Sequence, residues 1–156
     1  KEILQSDFEV LAKLEISMAM GMILGSFIFW KFVKRINPVS ILLFGIVIDG
    51  VTYALLYIVN STLISIFILF IHGIGIPLII ISRTTILQSV VPDRLRGRVF
   101  SMNYMAVMGT TGISVGMTGF VLEYMAADLL FLYIGLGAAS TVVIGLHHSL
   151  REILNN

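Results

Sequence analysis

The sequence predicts an all-α polytopic membrane protein of five transmembrane helices, a partial membrane domain spanning residues 1–156. Three observations carry that prediction. Apolar residues make up 58% of the chain and charged residues only 12%, with mean hydropathy +1.02. Soluble domains run near 45–50% apolar and roughly 25% charged, so too little polar surface remains to coat a water-soluble globule. Five apolar runs approach the ~20 residues a helix needs to cross ~30 Å of hydrocarbon. The basic residues, finally, segregate to alternate connections between those runs. Composition excludes a typical cytosolic enzyme, a disordered chain and a nucleic-acid binder. With no cysteine there is no disulfide, thiolate metal site or cysteine nucleophile. No metal or cofactor is expected.

The first run is 14–32, with Trp30 beside Lys31 at its end. Glu2, Asp7 and Glu9 precede it, unlike the basic start of a signal peptide. Lys31, Lys34 and Arg35 follow, then Asn37-Pro38, and Pro38 suits the first turn of the second run, 39–59. Only Asn60-Ser61 separates this from the third run, 62–82, which forces an antiparallel hairpin. The longest polar stretch, Arg83 to Val99, holds Pro92, Asp93, Arg94, Arg96, Gly97 and Arg98. Runs four and five are 100–121 and 128–146, with Glu123-Tyr124 between them. Every run is apolar around its whole circumference, as embedded helices are, and none alternates with the period of a strand.

Because antiparallel spans alternate sides, the charges sort onto two faces. One face has Lys31, Lys34, Arg35, Arg83, Arg94, Arg96, Arg98 and Arg151 against Asp93 and Glu152. The other has Lys1 and Lys13 against Glu2, Asp7, Glu9, Glu15, Glu123 and Asp128. Short loops rich in Lys and Arg stay cytoplasmic, so the N-terminus is expected outside and the C-terminus inside a cell (inner or plasma) membrane. The three loop arginines serve topology, or meet anionic headgroups or acidic residues of another domain.

Within the spans, Asp49 is the most informative residue. It lies ten residues into a 21-residue run, near mid-bilayer, where insertion scales charge about 2.5–3.5 kcal/mol for Asp. It must face the bundle interior, either lining a translocation pathway or hydrogen-bonding a neighbouring helix. Thr52, Tyr53, Tyr57 and Asn60 extend its stripe. His72 lies inside run three, followed by Gly73, Gly75 and Pro77, which predict a kink or loosened hydrogen bonding. It is either a second protonatable group of a pathway or the partner of a nearby hydroxyl or carbonyl. In run four, Gly109, Gly112, Gly116 and Gly119 recur at steps of three and four, a face suited to a close helix crossing. About 100° away, Asn103, Thr110, Ser114 and Thr118 make a polar face that hydrogen-bonds a neighbour or lines a water-filled cavity. Gly112-Ile-Ser114-Val-Gly116 also spells the serine-hydrolase elbow, with His72 as a conceivable partner. That motif needs a strand–turn–helix setting, and here it lies inside an apolar helix, so no enzyme is expected. His147-His148 point to different helix faces and read as interfacial rather than metal-binding.

Val91-Pro92-Asp93-Arg94-Leu95-Arg96-Gly97-Arg98-Val99-Phe100-Ser101 resembles the second-half loop of major facilitator superfamily transporters, notably the macrolide-efflux and enterobactin-exporter type. Leu14-Glu15 with Gly21-Met22-Ile23-Leu24-Gly25-Ser26 resembles the start of their eighth helix, and Lys31, Lys34 and Arg35 stand where the family has a basic loop. That loop lacks the family's Asp and second Gly, and Met117 stands where an antiporter glycine motif has proline. The resemblance implies that the five spans are helices eight to twelve and that helix seven and the N-terminal half are missing, which agrees with a start at Lys1. It implies two halves rocking about a central site, with a drug-like or siderophore-like solute exported against proton entry. The arginines would sit at the cytoplasmic gate, Asp49 in a helix often peripheral to the cavity, and run four in one that lines it. The implied partners are the lipid bilayer, the missing half, the solute and a proton. The rival expectation is a non-transport scaffold that packs through its glycine faces.

Overall fold

The computed structural model describes the backbone over residues 2–154 and the side chains of 8–126 and 129–145. Five helices follow one another: α1 (Glu2–Phe32), α2 (Pro38–Ile58), α3 (Thr62–Val90), α4 (Asp93–Leu122) and α5 (Ala127–Leu154). Four carry spans long and apolar enough to cross a bilayer: Phe8–Phe32, Pro38–Ile58, Thr62–Val90 and Asp93–Leu122. The described apolar part of α5 is shorter, Leu129–Gly145. The chain is thus an all-helical, multi-pass membrane protein. Lys1, Glu2, Asp7, Asp128, His147, His148, Arg151 and Glu152, used above for topology or weighed as ligands, lie outside the residues whose side chains are described.

Local chemistry explains the ends. Asn37 caps α2: its Oδ1 accepts the Val39 N–H at 2.9 Å, and Pro38 occupies the first turn, where no N–H is needed. The bounds around the third connection differ from the sequence expectation. The polar stretch Arg83 to Val99 is helical at both ends, because α3 runs on to Val90 and α4 starts at Asp93. Only Val91-Pro92 connects them. Arg96 bridges this corner. Its Nη2 donates to Gln88 O at 2.9 Å and its Nε to Val91 O at 3.3 Å, so a cation satisfies carbonyls at the end of α3. Asp93, in the first turn of α4, holds the same guanidinium at 2.9 Å. Pro77 lies inside α3, within the run the sequence places there.

α3 packs along both α1 and α2, and α2 packs along α5, giving the row α1–α3–α2–α5. Phe29, Ile41 and Leu78 form the buried cluster where the first three meet, with Ile28, Val33, Ile48, Ile74 and Ile81 against it. Glycine sets how closely these helices approach. A methyl on Gly21 would strike the Phe70 carbonyl, and one on Gly73 the Met18 carbonyl. At Gly25 the obstacle is the Ile74 carbonyl, with Pro77 Cγ at 2.7 Å; at Gly45 it is Ile79 Cγ1 at 2.8 Å, and at Gly50 it is Ala138 Cβ at 2.9 Å. Backbone contact this close maximises dispersion where no hydrophobic effect operates between helices. Ser17 adds a bond across the α1·α3 crossing, donating to Ile66 O at 2.6 Å. Large apolar side chains such as Ile23, Leu63, Val115 and Ile144 point outward, as lipid solvation requires.

Candidate functional site

The row of helices brings Asp49 and His72 together. They lie on antiparallel helices, near the middle of α2 and in the apolar run of α3. His72 Nδ1 is 3.5 Å from Asp49 Oδ1, and the imidazole is buried while the carboxylate side chain is 26% exposed. Thr52 completes the group. Its hydroxyl is buried, lies 3.0 Å from His72 Nδ1, and reaches the carbonyls of Ile48 and Asp49 at 2.8 Å each. Tyr53 presents its ring edge-on to the imidazole, with centroids 4.9 Å apart, and stacks on Phe131 of α5 at 6.1 Å. An isolated charge at this depth is costly; a carboxylate facing an imidazole and a hydroxyl is the arrangement that lowers that cost.

The glycines explain why the pair forms here. Gly73, next to His72, lies at the close α1·α3 crossing, and Gly50, next to Asp49, lies at the close α2·α5 crossing. Gly45 and Gly75 close the α2·α3 contact about one turn from Asp49 and His72, with Gly75 against Ile48. The polar cluster therefore sits where three helix crossings are clamped together. Thr52 and Tyr53 were visible only as members of a stripe. Their specific roles follow from the three-residue step that sets Thr52 one turn after Asp49, facing His72.

The other sequence candidates lie elsewhere. Asn103, Thr110, Ser114 and Thr118 are all on α4, which has no buried residue among those described and does not pack along another helix. Thr110 donates to Ala106 O at 2.6 Å, satisfying itself within its own helix. Gly109, Gly112, Gly116 and Gly119 have nothing within 4 Å of where a Cβ would be, so their face meets no neighbour among the described residues. Ser114 is exposed on α4 and His72 buried on α3, so the structure does not bring those two together. Among the basic residues, Lys31, Lys34 and Arg35 lie exposed around the α1–α2 connection, with Lys31 Nζ 5.8 Å from the Phe32 ring. Arg94 and Arg98 are exposed on the first turns of α4. Arg83, inside α3, holds a buried Nε without a hydrogen-bond partner, next to the fully buried, equally unpartnered Ser82 hydroxyl. Trp30 and Tyr124 are outward-facing, each beside a phenylalanine of its own helix end, Phe27 at 5.7 Å and Phe120 at 5.2 Å. Among the described residues no group of three or more His, Cys, Asp or Glu could hold a metal.

Compared with known proteins, the chain matches no family model, no curated protein and no solved structure. Fold and site together define a class: a multi-pass helical membrane protein with a polar, ionisable pair at the centre of its packed helices.

Proposed function

We propose that this chain is part of a secondary active transporter that exports a small drug-like or siderophore-like solute by alternating access, coupled to proton entry. The observation that carries the reading is the Asp49–His72 pair at 3.5 Å, between two helices in the apolar zone. Ionisable side chains at that depth are expensive, and in membrane proteins they mark ion and substrate paths. The likeness of Val91–Ser101 and Gly21–Ser26 to major facilitator superfamily exporters supports the same reading. So does α4, whose glycine face and polar face lie open, as a wall of a cavity completed by further helices would. Basic residues concentrated at the α1–α2 and α3–α4 connections favour a cytoplasmic position for both, in a cell membrane with the N-terminus outside.

The transport test uses the full-length protein in proteoliposomes under a pH gradient, with ethidium, a macrolide and a catecholate siderophore as solutes. Gradient-driven movement of at least one is expected; none moved across a wider panel overturns the reading. Orientation is checked separately. The chain has no cysteine, so Lys34→Cys and Arg96→Cys report cleanly. Both should react with an impermeant thiol reagent from the same, cytoplasmic side.

One observation favours a second reading. The open glycine face of α4 also suits a scaffold or assembly subunit that docks another membrane helix. Asp49→Asn separates the two: transport lost with normal insertion supports the transporter, whereas a loss of folding alone supports the scaffold.

A further inference from the structure

We infer that His72, Asp49 and Thr52 form a proton-binding site in which the imidazole takes the proton on Nε2, Asp49 supplies the counter-charge and Thr52 fixes the tautomer. Its role in coupling rests on the transporter reading above; its chemistry rests on geometry alone.

The tautomer follows from counting hydrogens. The Thr52 hydroxyl has one, and two main-chain carbonyls of its own helix, Ile48 O and Asp49 O, lie 2.8 Å away to receive it. With that hydrogen spent, Thr52 Oγ1 turns lone pairs toward His72 Nδ1 at 3.0 Å. The contact is a hydrogen bond only if Nδ1 carries a hydrogen. Asp49 Oδ1, the other atom facing Nδ1, is also an acceptor when ionised. Both neighbours therefore select the Nδ1–H form, and the lone pair of the neutral ring resides on Nε2. No donor among the described residues occupies that nitrogen. A second-neighbour bond fixing which ring nitrogen is protonated is a general way of setting histidine chemistry.

The step is a simple proton uptake. A proton joins Nε2 and no other bond breaks. The ring becomes imidazolium, and the pair goes from one net negative charge to none, since the Asp49 carboxylate then faces a cation. The uncompensated charge thus exists only in the proton-free state. Other groups at this level leave that balance alone. From α2, Tyr53 faces the pair and is the further titratable side chain that does so among the described residues; α1 brings Ser17, Met18 and Gly21 to this part of α3, and α5 brings Phe131 against Tyr53. The change of charge occurs one residue from Gly73 and one residue from Gly50, each at a close helix crossing. A change in the repulsion or attraction across α2·α3 is therefore delivered to contacts that either hold or slide.

The test uses the full chain in lipid nanodiscs with 15N-labelled histidine. There are three histidines, and substituting His147→Gln and His148→Gln leaves His72 as the only signal. The neutral ring should show a protonated Nδ1 and a bare Nε2, with acid converting Nε2. Thr52→Val should populate the other tautomer, and Thr52→Ser should restore the first. A neutral wild-type ring protonated on Nε2, or one indifferent to pH wherever the protein stays folded, overturns the proposal. In proteoliposomes, Asp49→Asn that inserts normally should lose gradient-driven ethidium movement by about tenfold or more. Driven movement retained in that variant also overturns the proposal, while leaving the transporter reading intact. If Asp49→Asn does not insert, His72→Gln carries the same measurement. A wild-type protein that moves no solute sinks the transporter reading instead, and the nitrogen resonances still decide the proton site.

Discussion

α3 and α4 are both long, apolar and rich in glycine, yet they have opposite fates in the fold. α3 is the hub: it buries seven residues, among them His72, Gly73, Gly75 and Pro77, between α1 and α2. Among the described residues α4 has none buried, and it does not pack along another helix. The difference is not in the glycines themselves, whose three-and-four spacing is better kept on α4. It lies in reciprocity. Gly73 meets Gly21, Gly75 meets Gly45, and Gly50 meets Gly135, so each close approach is made by two small residues facing each other. The stripe on α4 finds no such counterpart among the described residues. A small-residue face is half of an interface, and the other half decides whether it is filled.

The sharpest way to break this comparison is to add bulk to both helices. Gly73→Leu should destabilise the protein by about 3 kcal/mol or more, the upper end of overpacking penalties, because the obstacle is the Met18 backbone and cannot rotate away. Gly112→Leu has open space around it and should change stability by less than about 0.5 kcal/mol, as surface positions do. Thermal unfolding in detergent, followed by circular dichroism, reads both. Equal costs at the two sites would mean that the α4 face is occupied after all. A smaller effect is expected at the polar core. His72→Leu leaves the Asp49 carboxylate without its partner, which for a fully buried pair costs about 3–5 kcal/mol; partial exposure of Asp49 brings the expectation nearer 2. The double variant with Asp49→Leu should recover part of that loss, since two apolar residues leave nothing unpaired. No recovery would show that the two side chains act separately.

The same contrast explains what could be seen in the sequence. The number of helices and the apolar cores of all five were legible because lipid solvation demands long, unbroken apolar runs, a signal that needs no knowledge of neighbours. Their ends were less so. Arg83 to Val99 reads as a loop by polarity, but Arg96 supplies acceptor-satisfying donors to Gln88 and Val91 and lets both helices extend into it. Asp49 and His72 each stood out by the cost of their burial, whereas their meeting did not, because no local spacing links residues on different helices. Thr52 carried no such cost and no signal of its own. The packing glycines were the least legible: the regular stripe on α4 drew attention, while the decisive Gly21 and Gly73 lie in less regular surroundings and gain meaning only as a pair.

Arg96 is where the two regions are joined, and it gives the smallest and most local expectation. It bonds the carbonyls of Gln88 and Val91 at the end of α3 while pairing with Asp93 at the start of α4. Its side chain is nearly half exposed, and exposed ion pairs contribute only about 0.2–1 kcal/mol, so Arg96→Ala should barely move the melting temperature. The corner itself should respond more than the whole. Without the guanidinium, the last carbonyls of α3 turn to water or headgroups, and the final turn frays. Amide exchange should then speed up for Val91, whose N–H bonds Leu87 O at 3.0 Å, and remain unchanged at Gly73 and Gly75. Arg96→Lys keeps the charge but loses the fork that reaches two carbonyls at once, so it should restore little of the protection. If exchange instead quickens at the α1·α3 crossing, α4 steadies that crossing through the corner, and its independence from the packed row is lost.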